Sequence, residues 1–277
     1  MSNLVVDLPN SLNVALDREV ARTNCCASTI VAAALGRYLG TPVHTIFQVS
    51  TSGALVAGVY SGAVDVKTVL DHGDFGLGTF ANLDGEMVAL DGLVYQVQGT
   101  GLVSLAAPDA KAPFAVVTRF SPEVDTRIAA VNSFEELTRH CDDIRSSGNI
   151  FYAFRLDGHF TRVRTRAVNP PEPGARLIDA AKAQSEFHFA DVAGTLVGIW
   201  SPGFSSAFSV PGYHFHFLSE DRQQGGHLLD CASDGELRLQ MEPLTDFHLA
   251  LPETESFLAA DLSKDAAAEL AYAEQAH

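Results

Sequence analysis

The stretch Pro211-Gly-Tyr-His-Phe-His-Phe-Leu-Ser-Glu-Asp-Arg-Gln-Gln-Gly-Gly-His227 joins an alternating run to a glycine-ended turn. Side chains two apart in a strand share a face, so His214 and His216 point one way and Phe215 and Phe217 the other. Glu220–Gly226 is polar and closes on two glycines, so the chain should return antiparallel. With the turn centred near Arg222, His227 lies opposite His216 on the same face. Three imidazoles then converge on one patch of sheet. A single histidine there is more often a satisfied, half-buried residue than a ligand. Three on one hairpin face gain little from one another and lose solvation unless something binds between them. Three histidines with open coordination positions are the pattern of a catalytic zinc, whereas closed structural sites take a fourth protein ligand. The same donors also suit iron, manganese, nickel or copper.

Short apolar runs punctuated by glycine extend this texture on both sides of the hairpin. Val43–Val49, Leu55–Tyr60, Met87–Leu90, Leu93–Val97, Leu102–Ala106, Phe114–Phe120, Ile150–Leu156 and Phe160–Val168 read as strands before it, as do Phe187–Val192 and Thr195–Trp200. Tyr213–Ser219 and His227–Cys231 form the hairpin, and Glu236–Met241 and Asp246–Leu251 follow. Helices are fewer. The first forty residues read as helical, with Ser28 capping a helix through Tyr38 that Gly40 and Pro42 close. Others are expected at Val64–His72, at Ser133–Ile144 behind the capping-box pattern Ser133-Phe-Glu-Glu136, at Arg176–Gln184 and from near Ser263. Strand–helix alternation is too short for a doubly wound sheet, so the fold class is α+β, sheet-rich, with mixed and antiparallel sheets. Asn169-Pro-Pro-Glu-Pro-Gly174 is the clearest linker. It predicts an N-terminal mixed-sheet domain over 1–169, led by a helical segment 1–40, and a C-terminal antiparallel-sheet domain over 170–277.

Of 277 residues, 47% are hydrophobic and 19% charged, enough apolar material for a large core. The net charge of −16 argues against nucleic acid and anionic membranes as partners. It also means that a small anionic substrate needs local positive charge at its site. The four cysteines, Cys25, Cys26, Cys141 and Cys231, form no Cys-x-x-Cys, so reduced thiols in a cytoplasm are expected. The N-terminus shows no basic-then-apolar order of a secretory signal, and the run Ala27–Leu35 is too short to span a bilayer.

Two weaker signals bear on chemistry. Glu86 shares parity with Val88 and Leu90, so burial of that face would set a carboxylate among apolar neighbours, raise its pKa and suit it to proton transfer; the alternative is an exposed glutamate. Arg162, Arg164 and Arg166 alternate along one strand face and could dock a carboxylate bidentately, or simply form salt bridges to an acidic surface.

Taken together, these blocks resemble the acetolactate decarboxylases. The likeness rests on Ile46-Phe-Gln-Val-Ser-Thr51, His72-Gly-Asp-Phe-Gly-Leu-Gly-Thr-Phe80, Leu83-Asp-Gly-Glu-Met87, Phe151-Tyr-Ala-Phe-Arg-Leu-Asp-Gly158, Gly212-Tyr-His-Phe-His-Phe217 and Gly225-Gly-His227, in that order, across about residues 43 to 251. The resemblance implies His214, His216 and His227 as zinc ligands, Glu86 as an active-site carboxylate, Arg166 as the functional arginine and Thr79 as a pocket residue. It implies a second glutamate near the C-terminus, best matched by Glu274, with Glu269 as the alternative. It also implies a two-domain sheet-rich fold and a homodimer. The substrate would be 2-acetolactate, whose hydroxyl and ketone can chelate one ion. Loss of CO₂ leaves electrons that a Lewis acid stabilises as an enediolate, and protonation through Glu86 or Arg166 gives acetoin.

Two other readings are open. His214-x-His216-x-x-x-Glu220 before Gly225 resembles the first cupin metal motif, which would make Glu220 a ligand of an oxygenase or isomerase, although no second cupin motif follows. A non-catalytic metal- or small-molecule-binding module would need only the histidines, without convergent acid and base groups.

Overall fold

Which apolar runs became strands was decided largely by glycine and by helix caps. The computed structural model describes residues 5–23, 26–39, 44–172, 175–263 and 267–274. The chain divides into two units, Met1–Val43 and His44–His277. The first holds α1 (Asn10–Thr23) and α2 (Ala27–Leu39), the latter where Ser28 predicts a helix. Gly40 and Pro42, its expected stop, lie outside the described residues.

The second unit opens with β1 (Thr45–Val49), α3 (Ser52–Val56), β2 (Val64–Asp65), α4 (Val66–His72), β3 (Phe75–Thr79), β4 (Glu86–Leu90), β5 (Leu93–Val97) and β6 (Val103–Leu105). It continues through β7 (Lys111–Ala112), β8 (Phe114–Thr118), β9 (Val124–Ile128), α5 (Phe134–Ile144), β10 (Phe151–Ala167), α6 (Leu177–Lys182) and β11 (Ser185–Ser201). The hairpin β12 (Gly212–Ser219) and β13 (Gly225–Ala232) follows, then β14 (Leu237–Leu244), β15 (Asp246–Ala250), α7 (Glu255–Ala259) and α8 (Ala267–Glu274).

A seven-stranded sheet runs β15-β1-β8-β3-β4-β5-β6, antiparallel except where β15 joins β1 in parallel. A six-stranded antiparallel sheet runs β11-β12-β13-β10-β14-β9, and a further β10–β11 pairing returns β11 to β10. The first sheet is mixed and the second antiparallel, as the sequence implies.

The boundary expected at residue 169 does not separate two folding units. β10 before it and β11 after it pair along nearly their whole length, and β15 completes the sheet begun by β1. The strands on either side of the linker thus lie in one sheet.

Three local expectations change for identifiable reasons. Leu55–Tyr60 is not a strand: the Thr51 hydroxyl accepts the Ala54 N–H at 3.1 Å and starts α3. The breaks expected near Gly158 and Gly194 are absent, because these glycines face each other inside β10 and β11. A Cβ on Gly158 would lie 2.4 Å from Leu237 Cδ2, and one on Gly194 2.5 Å from the Phe217 ring, so each glycine admits a neighbouring side chain rather than a turn. Finally, Phe75-Gly-Leu-Gly-Thr79 is a buried central strand that its glycines disguise. A Cβ on Gly78 would stand 2.5 Å from the Phe114 carbonyl oxygen of β8, so only glycine permits that approach.

The register of β12 is fixed by the same device. Phe215 lies opposite Gly198, where a Cβ would come within 2.1 Å of the ring, and Phe217 packs over Gly194. A slip by one residue would drive both rings into backbone and turn the histidines away from their pocket. Behind the strand, the Arg145 guanidinium sits 3.7 Å over Trp200 and donates to the Tyr213 hydroxyl, tying the end of α5 to the start of β12.

Candidate metal centre

In the β12–β13 hairpin His216 stands opposite His227, as the turn position predicts, with Arg222 in the turn at a left-handed φ of 60°. His214 Nε2 lies 3.2 Å from His216 Nε2 and 3.0 Å from His227 Nδ1. An imidazole nitrogen has one in-plane site, either a hydrogen or a lone pair, so His214 Nε2 can direct a hydrogen bond to only one of those two nitrogens. A cation among the three rings relieves both contacts. Among the described residues this is the one cluster of His, Cys, Asp or Glu side chains able to share an ion.

His214 and His216 are held in the neutral form that a metal ligand needs. Burial, reinforced by the Arg166 charge, pushes His214 down to about 3, and burial pushes His216 well below the usual histidine range. His216 Nδ1 is 2.8 Å from the Met87 carbonyl oxygen, which can only accept, so Nδ1 carries the hydrogen and Nε2 presents its lone pair inward. The donor set and its tautomer therefore fit a borderline-soft divalent ion.

The facing wall comes from the other sheet, where β4 packs against β12 and β13. Glu86 opens β4 and is 6% exposed, with one oxygen 3.7 Å from His216 Nε2 and the other accepting the Val168 N–H at 3.2 Å. Val88 and Leu90 lie in one apolar cluster with Leu77 and Phe114, whereas Met87 and Ala89 belong to another, so the parity of Glu86 does put it on an apolar face. Thr79 pairs with Glu86 across β3–β4, and its hydroxyl donates to the Gly85 carbonyl at 2.8 Å, fixing the turn that delivers the carboxylate.

Arg166, at the end of β10, lies opposite His227 and is 4% exposed. Its Nη2 is 3.4 Å from His227 Nε2, and its Nη1 donates to Gln184 Oε1 at 3.0 Å. The arginine stripe divides: Arg162 is half-exposed and pairs with Asp230 at 2.8 Å, Arg164 is partly exposed, and only Arg166 reaches the histidines. Thr79, Glu86, Arg166, His214 and His227 line one small pocket, closed by Leu55, Leu83, Phe114, Leu177 and Val210. The sequence offered no signal for several of these partners. Backbone groups such as the Met87 carbonyl and the Val168 N–H carry no residue signature, and Gln184 is brought in by the loop between α6 and β11.

Two expected residues fall elsewhere. Glu220 sits exposed at the start of the hairpin turn, on a separate cleft with Arg155, Asp157 and Arg238, so it is not a fourth ligand and the cupin reading loses its carboxylate. Strand alternation alone does not carry the chain back to the metal after the turn begins. Glu220→Gln should therefore keep full metal content and activity, with a stability change within about 0.5 kcal/mol, checked by metal analysis and thermal melting. Glu269 accepts from Arg176 Nη2 at 2.6 and 2.7 Å beside a different cleft, which that arginine and Asp261 also line. Glu274 ends α8, and its side chain lies outside the described residues. No helix among the described residues is long and apolar enough to cross a membrane.

The alpha-acetolactate decarboxylase family model matches residues 46–264. The chain is 38% identical over 224 residues to alpha-acetolactate decarboxylase of Brevibacillus brevis, covering 80% of this chain and 78% of that protein. To that of Methanosarcina mazei it is 40% identical over 222 residues, covering 79% and 76%. The crystal structure of alpha-acetolactate decarboxylase from Bacillus subtilis strain 168 matches with a TM-score of 0.81 at 34% identity, over 84% of this chain and 100% of that one. Sequence and fold likeness place the chain among the carboxy-lyases. The chain belongs to the alpha-acetolactate decarboxylase family, and helices α1 and α2 precede the matched region.

Proposed function

We propose that this protein decarboxylates 2-acetolactate to acetoin and CO₂ in a metal-dependent reaction, with zinc as the ion. One observation carries the metal dependence: His214 Nε2 stands 3.2 Å from His216 Nε2 and 3.0 Å from His227 Nδ1, beside a pocket that also holds a buried carboxylate and a buried guanidinium. A divalent ion bound there supplies a Lewis acid for the electrons released with CO₂.

The remaining work belongs to the chain. Arg166 supplies the local positive charge that an anionic substrate needs in a protein of net charge −16, and its planar fork suits a carboxylate. Leu55, Leu83, Phe114 and Val210 exclude water and accept the substrate's methyl groups. When the carbon–carbon bond to the carboxylate breaks, its electron pair stays with the substrate, and a proton must reach the carbon that lost CO₂. In this reading Glu86, whose carboxylate accepts the Val168 N–H and faces the histidines, carries that proton. Thr79 keeps the Glu86 turn in shape, and Glu274 is the second glutamate of this reading.

A cytoplasmic homodimer is part of the proposal. The free thiols of Cys141 and Cys231 fit a reducing compartment. The test of the activity is direct: purified protein given 2-acetolactate should release acetoin and CO₂ in equal amounts. A protein that binds the compound and releases neither is a binding module, and the proposal fails.

A further inference from the structure

Arg166 is buried, and a long side chain with several rotatable bonds must be held in one orientation before its charge can serve a substrate. Its Nη1 is held by Gln184 Oε1 at 3.0 Å. Gln184 is itself bracketed. Asn169 Nδ2 donates to the Ala183 carbonyl at 2.9 Å and lies 3.1 Å from Ser185 Oγ, so one amide secures the residues on both sides of Gln184. Space for Asn169 exists because residue 99 is glycine, where a Cβ would lie 1.9 Å from Asn169 Oδ1. Ser185 then enters β11 opposite Ala167, next to Arg166 in β10. Gln184 thus sets its side-chain amide against the arginine that precedes it by 18 positions.

From this arrangement we propose that Gln184 is a positioning residue for Arg166, and that its being an amide rather than a carboxylate matters. The amide oxygen accepts one guanidinium hydrogen without neutralising the charge, so Arg166 keeps its attraction for an anionic substrate. A carboxylate in the same place would orient the fork equally well but compete with the substrate's own carboxylate for it. The inference rests on the reading of Arg166 as the group that binds the substrate carboxylate.

The test uses the full-length, zinc-loaded protein and the variants Gln184→Ala, Gln184→Glu and Arg166→Ala. For each, KM and kcat with 2-acetolactate are measured beside the inhibition constant of acetoin, a neutral ligand of the same pocket, with zinc content and Tm as controls. Gln184→Ala should raise KM about tenfold, the scale of one hydrogen bond to a charged group. Gln184→Glu should also raise KM while leaving kcat within about twofold, because the fork stays oriented but its charge is countered. In both variants acetoin inhibition, zinc content and Tm should stay near the parent values. If Arg166→Ala raises KM about a hundredfold or more while both Gln184 variants match the parent, the role of Gln184 is refuted and that of Arg166 stands. If Arg166→Ala changes neither constant, the reading of Arg166 has failed. Parallel loss of acetoin and acetolactate binding, or a collapse of Tm in both Gln184 variants, would make Gln184 a structural residue and overturn the proposal.

Discussion

His216→Ala should lose bound zinc and lower acetolactate turnover by about a thousandfold or more, since Lewis-acid stabilisation is worth several kcal/mol of the barrier. His216 is the most constrained of the three rings. It is fully buried, its Nδ1 is committed to the Met87 carbonyl, and it stands across from His227. Alanine removes one of the three proposed ligands and also strands that carbonyl in the core, at a cost of about 1–3 kcal/mol. Zinc analysis, turnover and urea denaturation separate the two effects: the metal-free parent should lose activity while keeping its Met87 contact, and the variant should lose both. A variant that binds a full equivalent of zinc would remove His216 from the ligand set.

Glu86→Gln should keep the metal and lose the reaction. Glutamine matches the shape and still offers an oxygen to the Val168 N–H, so packing is conserved. It cannot hold and release a proton, and positioned acid–base groups contribute about 10²- to 10⁴-fold. Turnover should fall within that range, with zinc content and Tm close to the parent. The position explains the size of the effect. Glu86 begins a strand buried along its full length and faces the histidines from the opposite sheet, so no bulk water replaces it easily. Full activity in this variant would assign the proton to another group.

The elements that build the site differed in how openly the sequence displayed them. The alternation His214-Phe-His-Phe217 and the glycine-ended turn were enough to bring His216 opposite His227, because a strand has a strict period of two and the buried phenylalanines forbid a slip. The parity of Glu86 with Val88 and Leu90 was equally legible. Glycine was the least legible residue. At positions 158 and 194 it reads as a break, yet it serves to admit Leu237 and Phe217, and at 76 and 78 it hides a central strand. Short apolar runs were ambiguous for a related reason: Leu55–Tyr60 has strand composition, but a single cap at Thr51 turned its start into helix. Proline-rich Asn169–Gly174 suggested a domain boundary because such composition ends elements. What composition does not display is that the strands on either side pair with each other. Gln184 was out of reach altogether, since its role exists only through its contact with Arg166.

The dependence of turnover on bound zinc is the most direct test. Protein stripped with a chelator is titrated with zinc while bound metal and acetoin formation are followed together. Activity near zero without metal, rising in proportion to zinc and levelling at one ion per chain, is the result expected. Full acetoin formation by protein shown to contain no metal would contradict the account.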